Sequence, residues 1–226
     1  MTGKLKSKEE IVKDTLQVVF EVNEPFTFRP GQYFFVNLPA GRKQFSINNS
    51  PNQSNILSLA TRLTGSDFKN ALNGLPAGAD VELGPIAGVF TLPEDQSRPL
   101  VLIAGGIGIT PFMSMLSYIK EQNLPCQITL IYSNRNRQSA AFFNELQELT
   151  RLLPNFKLIL TMTDDPDWEG EKRKVDADFI REYFPDVNKN LYMVVGPPAM
   201  VEAVERALLE AGVEKENIKI ENFTGY

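Results

Sequence analysis

A glycine-rich turn behind a short apolar run is the clearest candidate for chemistry in this sequence. Residues 100–104 are Leu, Val, Leu, Ile and Ala, a composition typical of a strand buried on both faces of a parallel sheet. Gly105, Gly106 and Gly108 follow, and Pro111 stands where the first turn of a helix would begin. Glycines at this place let a ligand approach backbone N–H groups at the positive end of a helix dipole. The turn therefore predicts a site for a phosphate or pyrophosphate, although a tight strand–helix connection without a ligand has the same pattern.

The polar segment 42–51 is a second candidate. Arg42 and Lys43 could neutralise a phosphate, and the Ser46 hydroxyl could hydrogen-bond a nitrogen of an aromatic ring system. The same residues would also suit an edge strand that runs into a polar turn. Taken alone, the segment leaves both interpretations open.

Two further candidates follow strand-like runs in the C-terminal half. Gly196, Pro197 and Met200 come directly after an apolar run and open a helix-like segment. In a doubly wound sheet such a loop lies at the carboxyl edge, where ligands bind. The chain end, 221–226, contains Phe223 and Tyr226, and two aromatic residues after a strand suggest a docked end. The alternatives are an ordinary helix start and a hydrophobic plug.

The residue types that the sequence lacks exclude several kinds of chemistry. There is no histidine and one cysteine, Cys126, which excludes an intrachain disulfide, His-based metal sites and His-dependent catalytic triads. Redox chemistry would therefore need a bound organic cofactor. The net charge of −5 argues against nucleic acid as a partner. No segment approaches the roughly 20 apolar residues of a membrane helix, and the charged residues 1–14 are no signal peptide, so we expect a cytoplasmic protein without a membrane contact.

The elements that must position these candidates change character along the chain. Residues 10–93 predict short strands at 11–22, 32–37, 44–47, 56–61 and 81–83, with one helix at 66–72. From residue 99 onward the pattern predicts strands at 100–104, 127–132, 157–161, 191–195 and 217–221, and helices at 110–121, 138–152, 176–184 and 198–211. We therefore predict an N-terminal antiparallel β-barrel and a C-terminal α/β domain with a doubly wound, parallel, five-stranded sheet. The polar segment 91–98 divides them, with domains at 1–96 and 97–226.

Short motifs in this order and spacing resemble the ferredoxin–NADP reductase family of flavoproteins. The resemblance covers nearly the whole chain and is carried by Pro-Gly-Gln-Tyr at 30–33, Lys-Gln-Phe-Ser at 43–46, Gly-Pro at 84–85 with Gly-Val-Phe-Thr-Leu-Pro at 88–93, the glycine turn at 105–111, Tyr-Ser-Asn-Arg at 132–135 and Gly-Pro-Pro-Ala-Met at 196–200. The chain departs from the family pattern at Lys43, where Arg is usual, at Asn49, at Phe68 in the loop for the FAD pyrophosphate, and at Val195, where Cys is frequent.

The resemblance implies a flavin-binding barrel followed by a pyridine-nucleotide domain whose C-terminal tail lies at the flavin. Hydride would pass from nicotinamide C4 to flavin N5, with Ser46 near N5, Glu221 as a proton relay and Phe223 stacked on the flavin, a role for which Tyr226 is the rival. The implied cofactor is FAD, with FMN as the second choice, and the co-substrate is NADH or NADPH. The implied cofactor-binding residues are Lys43, Gln44, Phe45, Ser46, Asn48, Ser50, Thr61, Gly65, Ser66, Gly106, Gly108, Thr110, Pro111, Arg135, Asp164, Gly196, Pro197, Met200 and Tyr226.

The choice between the two nucleotides depends on the segment after the third strand of the parallel sheet. Thr163, Asp164 and Asp165 stand where NADPH-preferring members of the family place Ser-Arg. A carboxylate repels the 2′-phosphate and accepts hydrogen bonds from a free ribose hydroxyl. We therefore expect a preference for NADH, although the cations at 172–174 could compensate.

The resemblance implies a reductase that passes electrons to a separate protein, such as a ferredoxin, a flavodoxin or an oxygenase or haem component. The alternative is a flavin-binding electron-transfer or assembly subunit with no NAD(P)H turnover of its own, which the departures at Lys43 and Val195 would favour. The lysines at positions 4, 6 and 8 could steer an acidic partner, but charged runs near termini are usually only solvated.

Overall fold

A computed structural model describes residues 1–223 of the chain. Within them, two compact units are present. The first consists of residues 1–92 together with 110–122, and the second of residues 93–109 and 123–223. Residues 110–122 therefore belong to the first unit, although they follow the first strand of the second unit in sequence.

The first unit is an antiparallel sheet with two helices. Its elements are β1 (Thr2–Val12), β2 (Thr15–Val22), β3 (Tyr33–Leu38), β4 (Gly41–Ser46), β5 (Ile56–Arg62), α1 (Asp67–Gly74), β6 (Asp80–Ala87) and α2 (Thr110–Gln122). The six strands pair in the order β4-β3-β6-β1-β2-β5, and within the described part of the chain no ladder joins β4 to β5. The predicted antiparallel barrel is thus confirmed as a barrel-like sheet that is not closed. Phe20, Phe34, Leu57 and Leu59 form part of its core and are fully buried.

The N-terminal hairpin is one place where the expectation was wrong. The sequence predicts a single strand at 11–22, but β1 and β2 form an antiparallel pair that turns at Lys13 and Asp14. Asp14 takes a φ of 57°, a left-handed conformation that Asp tolerates in turns. Gly3 and Leu5 are buried between exposed lysines, which is the two-residue period of a strand. The high charge of this segment concealed that period.

The second unit is a parallel sheet with helices. Its elements are β7 (Leu100–Gly105), β8 (Ile128–Asn134), α3 (Phe143–Leu152), β9 (Phe156–Met162), α4 (Ala177–Tyr183), β10 (Leu191–Gly196), α5 (Pro198–Glu210) and β11 (Ile218–Asn222). The strand order β11-β10-β7-β8-β9 confirms the predicted five-stranded parallel sheet. The chain runs outward from β7 to β9 and then returns to β10, so β7 and β10 flank the point where the winding direction changes. Ligands of open α/β sheets bind at the carboxyl ends of such a pair of strands.

Helix α3 begins later than the pattern predicts. A helix was expected over 138–152, but a short 3-10 turn, Arg137–Ser139, precedes α3. The Asn136 side chain accepts a hydrogen bond from the Ser139 N–H, and the Ser139 side chain accepts one from the Asn136 N–H. This reciprocal cap closes a separate turn before the helix can start.

The described residues contain neither a helix long and apolar enough to cross a membrane nor a group of three or more His, Cys, Asp or Glu side chains arranged to hold a metal ion.

Candidate functional site

The predicted flavin-binding residues of strand β4 lie on two opposite faces of the sheet. Lys43 pairs with Val36 and Phe45 with Phe34, and because Val36 and Phe34 are fully buried, Lys43 and Phe45 point to the core side of the sheet. Arg42 lies on the opposite face, where its guanidinium carbon is 3.8 Å from the centre of the Phe35 ring. Lys43 is therefore the cation of β4 that shares a face with Phe45.

The remaining predicted residues of β4 point the other way. Gln44 is exposed and pairs with Phe35, whereas Ser46 pairs with Tyr33 at the end of the strand. Ser46 is buried, with 7% of its surface exposed. The alternation of the strand thus presents the Phe45 ring on one side and the Ser46 hydroxyl on the other.

A buried amide network follows β4. The Ser58 hydroxyl donates to Asn48 Oδ1, the Ser58 N–H donates to Asn49 Oδ1 at 2.9 Å, and the Ser114 hydroxyl of α2 donates to the Asn49 carbonyl at 2.7 Å. Within the described chain, the buried Asn48 Nδ2 has no hydrogen-bond acceptor. A buried amide donor without an acceptor costs free energy, so Asn48 Nδ2 fits a ligand that brings an acceptor atom.

The Ser50 hydroxyl has a partner within the first unit. It donates to Glu121 Oε2 near the end of α2, and Asn52 Nδ2 donates to the same oxygen at 2.8 Å. This arrangement ties the loop after β4 to α2. A ligand role for Ser50 stays a prediction, because its donor is already used.

Helix α1 begins beside strand β5. Ser66 caps the helix, its side chain accepting from the Lys69 N–H at 3.4 Å, and Gly65 takes a φ of +75° with open space where a Cβ would lie. Thr61 of β5 is buried, and its hydroxyl oxygen accepts a hydrogen bond from the Lys69 amine. Sequence reasoning missed Lys69, because a lysine on an amphipathic helix is normally exposed.

The glycine turn and the β10 loop contact one another in the second unit. A Cβ added to Gly108 would lie 2.6 Å from the Val195 carbonyl oxygen, and one added to Gly105 would lie 2.3 Å from Met200 Sδ. Gly196 is equally confined, since its Cβ would lie 2.8 Å from the same sulfur. Gly108 is therefore confined by the backbone of the β10 loop, whereas the atom nearest to an added Cβ at Gly105 or Gly196 belongs to the flexible Met200 side chain.

Gly106 differs from its neighbours. It takes a φ of +53° and has nothing within 4 Å of the position of a Cβ, and its carbonyl accepts a hydrogen bond from the Tyr132 hydroxyl at 3.0 Å. Gly106 is therefore the glycine of this turn that leaves open space for a ligand. Pro197 precedes α5, whose first residue is a second proline. The buried Thr110 begins α2, with Pro111 in its first turn, as expected.

The end of β8 holds a buried amide that sequence reasoning also missed. Asn134 is 6% exposed, and within residues 1–223 neither atom of its side-chain amide has a hydrogen-bond partner. Its neighbour Arg135 is exposed, and the Arg135 carbonyl accepts from the Asp164 N–H at 2.7 Å. This backbone pair brings two predicted nucleotide residues together at the carboxyl edge of the sheet. The signal for Asn134 is its position as the last residue of a buried strand.

An open cavity of about 570 Å³ lies at the same edge. Its lining includes Asp164, Asp165, Asp167 and Arg137. The Arg137 N–H and guanidinium both donate to Asp165 Oδ2, at 3.2 and 3.4 Å, and the backbone N–H of Arg137 is the main reason that the pKa of Asp165 lies below its usual value. The Arg137 side chain that lines this cavity is thus already paired with a carboxylate.

Glu221 has a buried carboxyl group in β11. It lies opposite Val195 in the parallel ladder with β10, and in the described part of the protein its Oε2 has no hydrogen-bond partner. Burial raises the pKa of Glu221 to about 7, so this carboxyl group can hold or release a proton near neutral pH. Phe223 follows, and its N–H donates to the Gly196 carbonyl at 3.0 Å. The predicted residue Tyr226 lies outside the described residues.

Comparison with known proteins gives a consistent result. The model of the oxidoreductase NAD-binding domain family matches residues 102–206. The reductase component of propane 2-monooxygenase from Rhodococcus jostii is 28% identical over 227 residues, which are 96% of this chain and 61% of that protein. The gamma subunit of sulfhydrogenase 1 from Pyrococcus furiosus is 30% identical over 202 residues, 88% of this chain and 69% of that protein.

Among solved structures, the cytochrome P450 reductase GcoB from Amycolatopsis superposes with a TM-score of 0.88 at 28% identity, over 99% of this chain and 69% of that one. The chain thus spans somewhat more than half of the length of several curated relatives, including 63% of two terephthalate dioxygenase reductase components from Comamonas.

Proposed function

The chain belongs to the ferredoxin reductase-like family of FAD- and NAD(P)-binding reductases, and on that basis we propose that it carries electrons from NAD(P)H through bound FAD to a separate redox protein. When bound, FAD would accept a hydride from NAD(P)H and pass electrons onward one at a time. The observation that carries the proposal is that one chain combines the β4 flavin motif with the glycine turn of a five-stranded parallel sheet, and aligns over 99% of its length with a solved reductase.

The first unit fits FAD through its unpaired polar groups. Lys43 supplies a cation on the face that carries Phe45, and Asn48 Nδ2 supplies a buried donor that needs an acceptor. Flavin offers both an anionic phosphate end and ring atoms that accept hydrogen bonds. We assign the Ser46 hydroxyl to the flavin ring near N5 and the Phe45 ring to packing along the flavin.

The second unit fits a dinucleotide through the open side of the glycine turn. Gly106 leaves room for a phosphate, and the Asn134 amide, Arg135 and Asp164 lie at the carboxyl edge of the sheet. We assign the protonated Glu221 to proton delivery and Phe223 to stacking at the flavin. For domains, we propose 1–96 for the flavin and 97–226 for the nucleotide. The boundary between the two units near Leu92 supports the position of the division, while α2 within the second range belongs to the first unit.

We further propose that NADH is preferred over NADPH. Three carboxylates line the cavity after β8 and β9, and its arginine is paired with Asp165. Downstream, the Arg173 guanidinium binds the Glu171 and Glu182 carboxylates at 2.6 and 2.8 Å, so it offers little to a 2′-phosphate. Steady-state kinetics with both nucleotides test this preference, and a higher kcat/KM with NADPH would contradict it.

The electron acceptor that we propose is a separate protein. The propane monooxygenase and terephthalate dioxygenase relatives are named as reductase components, which favours an oxygenase or its ferredoxin as the partner. A flavodoxin or a haem protein would meet the same requirement. Since the acceptor works beside soluble NADH, we also propose the cytoplasm as the compartment, which cell fractionation can test.

A second candidate function is that of a flavin-binding subunit inside a larger enzyme, without NAD(P)H turnover of its own. The relative that favours it is a gamma subunit of a sulfhydrogenase, 30% identical to this chain. Anaerobic addition of NADH to the purified, FAD-loaded protein separates the two candidates. Loss of the flavin absorbance near neutral pH is expected for the reductase, and an unchanged spectrum with either nucleotide would favour the passive subunit.

A further inference from the structure

Lys69 is a buried cation in the first unit. It lies in the first turn of α1 with 7% of its surface exposed. Its amine donates to the Thr61 hydroxyl oxygen and lies 5.0 Å from the centre of the Phe45 ring. A lysine is almost never fully buried unless it is paired with an opposite charge, so its position requires an explanation.

The described chain supplies no such charge. No carboxylate among residues 1–223 forms an ion pair with the Lys69 amine, and the charge that acts on it is that of another cation, Lys43. Burial first, and Lys43 second, lower the pKa of Lys69 to about 8. A neutral hydroxyl and an aromatic ring recover only part of the cost of removing an ammonium group from water. Two cations therefore converge on a place where no carboxylate of residues 1–223 pairs with the Lys69 amine.

The surroundings of Lys69 also favour an anion. Ser66 caps α1 just before it, so the positive end of the helix dipole is on the same side, and Gly65 leaves open space. Phe68 belongs to the core, 3% exposed and 5.9 Å from the Phe45 ring. Phe68 thus packs into the core, and Lys69 is the residue of this turn whose charged group lies at Thr61 and the Phe45 ring.

We propose that the Lys69 amine, together with Lys43, binds the phosphate end of the flavin cofactor. This inference rests on the proposed function, because it requires flavin in the first unit. The phosphate is the part of a flavin that carries fixed negative charge at neutral pH. A buried ammonium group that donates to a phosphate oxygen forms a strong, charge-assisted hydrogen bond.

Three ligands that differ only at the phosphate end test the proposal. Riboflavin has no phosphate, FMN has one, and FAD has a pyrophosphate, so their dissociation constants from cofactor-free protein can be compared by quenching of flavin fluorescence. For Lys69→Met, we expect the dissociation constants of FMN and FAD to rise about tenfold or more. That of riboflavin should stay within about twofold.

Two further variants complete the comparison. Lys43→Met, at an exposed position, should also weaken FMN and FAD binding and leave riboflavin binding unchanged. Lys157→Met is the matched control, because the Lys157 amine also lies over an aromatic ring, 5.3 Å from the centre of Tyr183, in the second unit. It should change none of the three dissociation constants.

The thermal stability of the cofactor-free protein provides a second measurement. Removing a buried, uncompensated cation should leave the melting temperature of Lys69→Met equal to or above that of the wild type. A lower melting temperature, or a variant that does not fold, would show that the amine supports the fold, and would overturn the proposal.

The remaining outcomes are equally distinct. If Lys69→Met weakens riboflavin binding as much as FAD binding, the amine acts on the ring and the phosphate assignment is wrong. If FAD binding is unchanged, Lys69 does not contact the cofactor. If the wild-type protein binds none of the three flavins, the proposed function itself fails, and this inference fails with it.

Discussion

The two units offer opposite solutions to the recognition of an anionic cofactor. In the first unit, the candidate site contains surplus positive charge, because the buried Lys69 lies close enough to Lys43 to be affected by its charge and, within residues 1–223, forms no ion pair with a carboxylate. In the second unit, charge at the sheet edge is mainly negative, and the candidate phosphate site is a backbone turn in which Gly106 leaves open space while Gly108 packs against the β10 loop. A phosphate can be bound either by side-chain charge or by backbone N–H groups and a helix dipole, and the two candidate sites correspond to these two modes. Each solution should fail under a different change.

The backbone solution should be the more sensitive to added volume. Gly108→Ala places a methyl group 2.6 Å from the Val195 carbonyl oxygen, which belongs to the backbone and cannot move aside easily. We expect the free energy of unfolding to fall by about 2–3 kcal/mol, measured by urea denaturation.

Gly74→Ala is the control for that substitution, because no atom lies within 4 Å of its added Cβ. Its unfolding free energy should change by less than about 1 kcal/mol. Equal effects of the two substitutions would show that the contact between Gly108 and the β10 loop does not determine the free energy of unfolding.

The next effect that we expect is a pH dependence of the free energy of unfolding, which arises from Glu221 in the second unit. Because the pKa of Glu221 is raised to about 7, the folded protein keeps a proton that the unfolded chain releases near pH 4.5. The contribution of Glu221 is therefore fully present below that pH and is lost as the pH rises through 7, by about 3 kcal/mol.

The difference between the wild type and Glu221→Gln isolates this contribution, because the amide does not titrate. Urea denaturation of the cofactor-free proteins at pH 5 and pH 8 should show a larger decrease for the wild type. Glu202→Gln, on the exposed face of α5, should follow the wild-type profile, and identical profiles for all three proteins would contradict the assignment.

The negative edge of the second unit should control the nucleotide preference. Asp164→Ser removes one carboxylate from the cavity after β9, and we expect the ratio of kcat/KM for NADPH to that for NADH to rise about tenfold. Asp178→Ser is the control, since Asp178 pairs with Arg181 on α4 at 2.9 Å. An unchanged ratio for Asp164→Ser would show that the Asp164 carboxylate does not influence the choice between NADH and NADPH.

The smallest effect that we expect is one of salt. Charge-based recognition in the first unit should make the dissociation constant of FAD rise about threefold between 50 and 500 mM salt, because mobile ions screen Lys43. The dissociation constant of riboflavin should hardly change over the same range. Equal salt sensitivity of the two ligands would contradict charge-based binding of the FAD phosphates in the first unit.

The amount that could be predicted differs between the units for a physical reason. The parallel sheet could be predicted from the sequence because β7 and β10 are continuous apolar runs that end in glycine, with a proline after β10. The hairpin of β1 and β2 was missed because its exposed lysines outweigh two buried residues, and the start of α3 was missed because a side-chain cap at Asn136 closes a separate turn.

The candidate site shows the same division. Placement of Lys43, Phe45 and Ser46 on alternating faces follows from the period of a strand, and needs no more than the sequence. By contrast, three features of residues 1–223 depend on which elements pack around them: the burial of Lys69, the Asn48 Nδ2 that has no acceptor, and the Asn134 amide that has no partner.

Local periodicity and motifs that are contiguous in the chain were enough to predict the fold class, the family and the order of α-helices and strands from β2 onward, whereas β1 was missed. The tertiary structure was needed to show that Gly108 serves loop packing, that Glu221 holds a proton near neutral pH and that Lys69 has no carboxylate partner among residues 1–223. The reason is that desolvation and steric contact are set by residues far apart in the chain, and no local pattern records them.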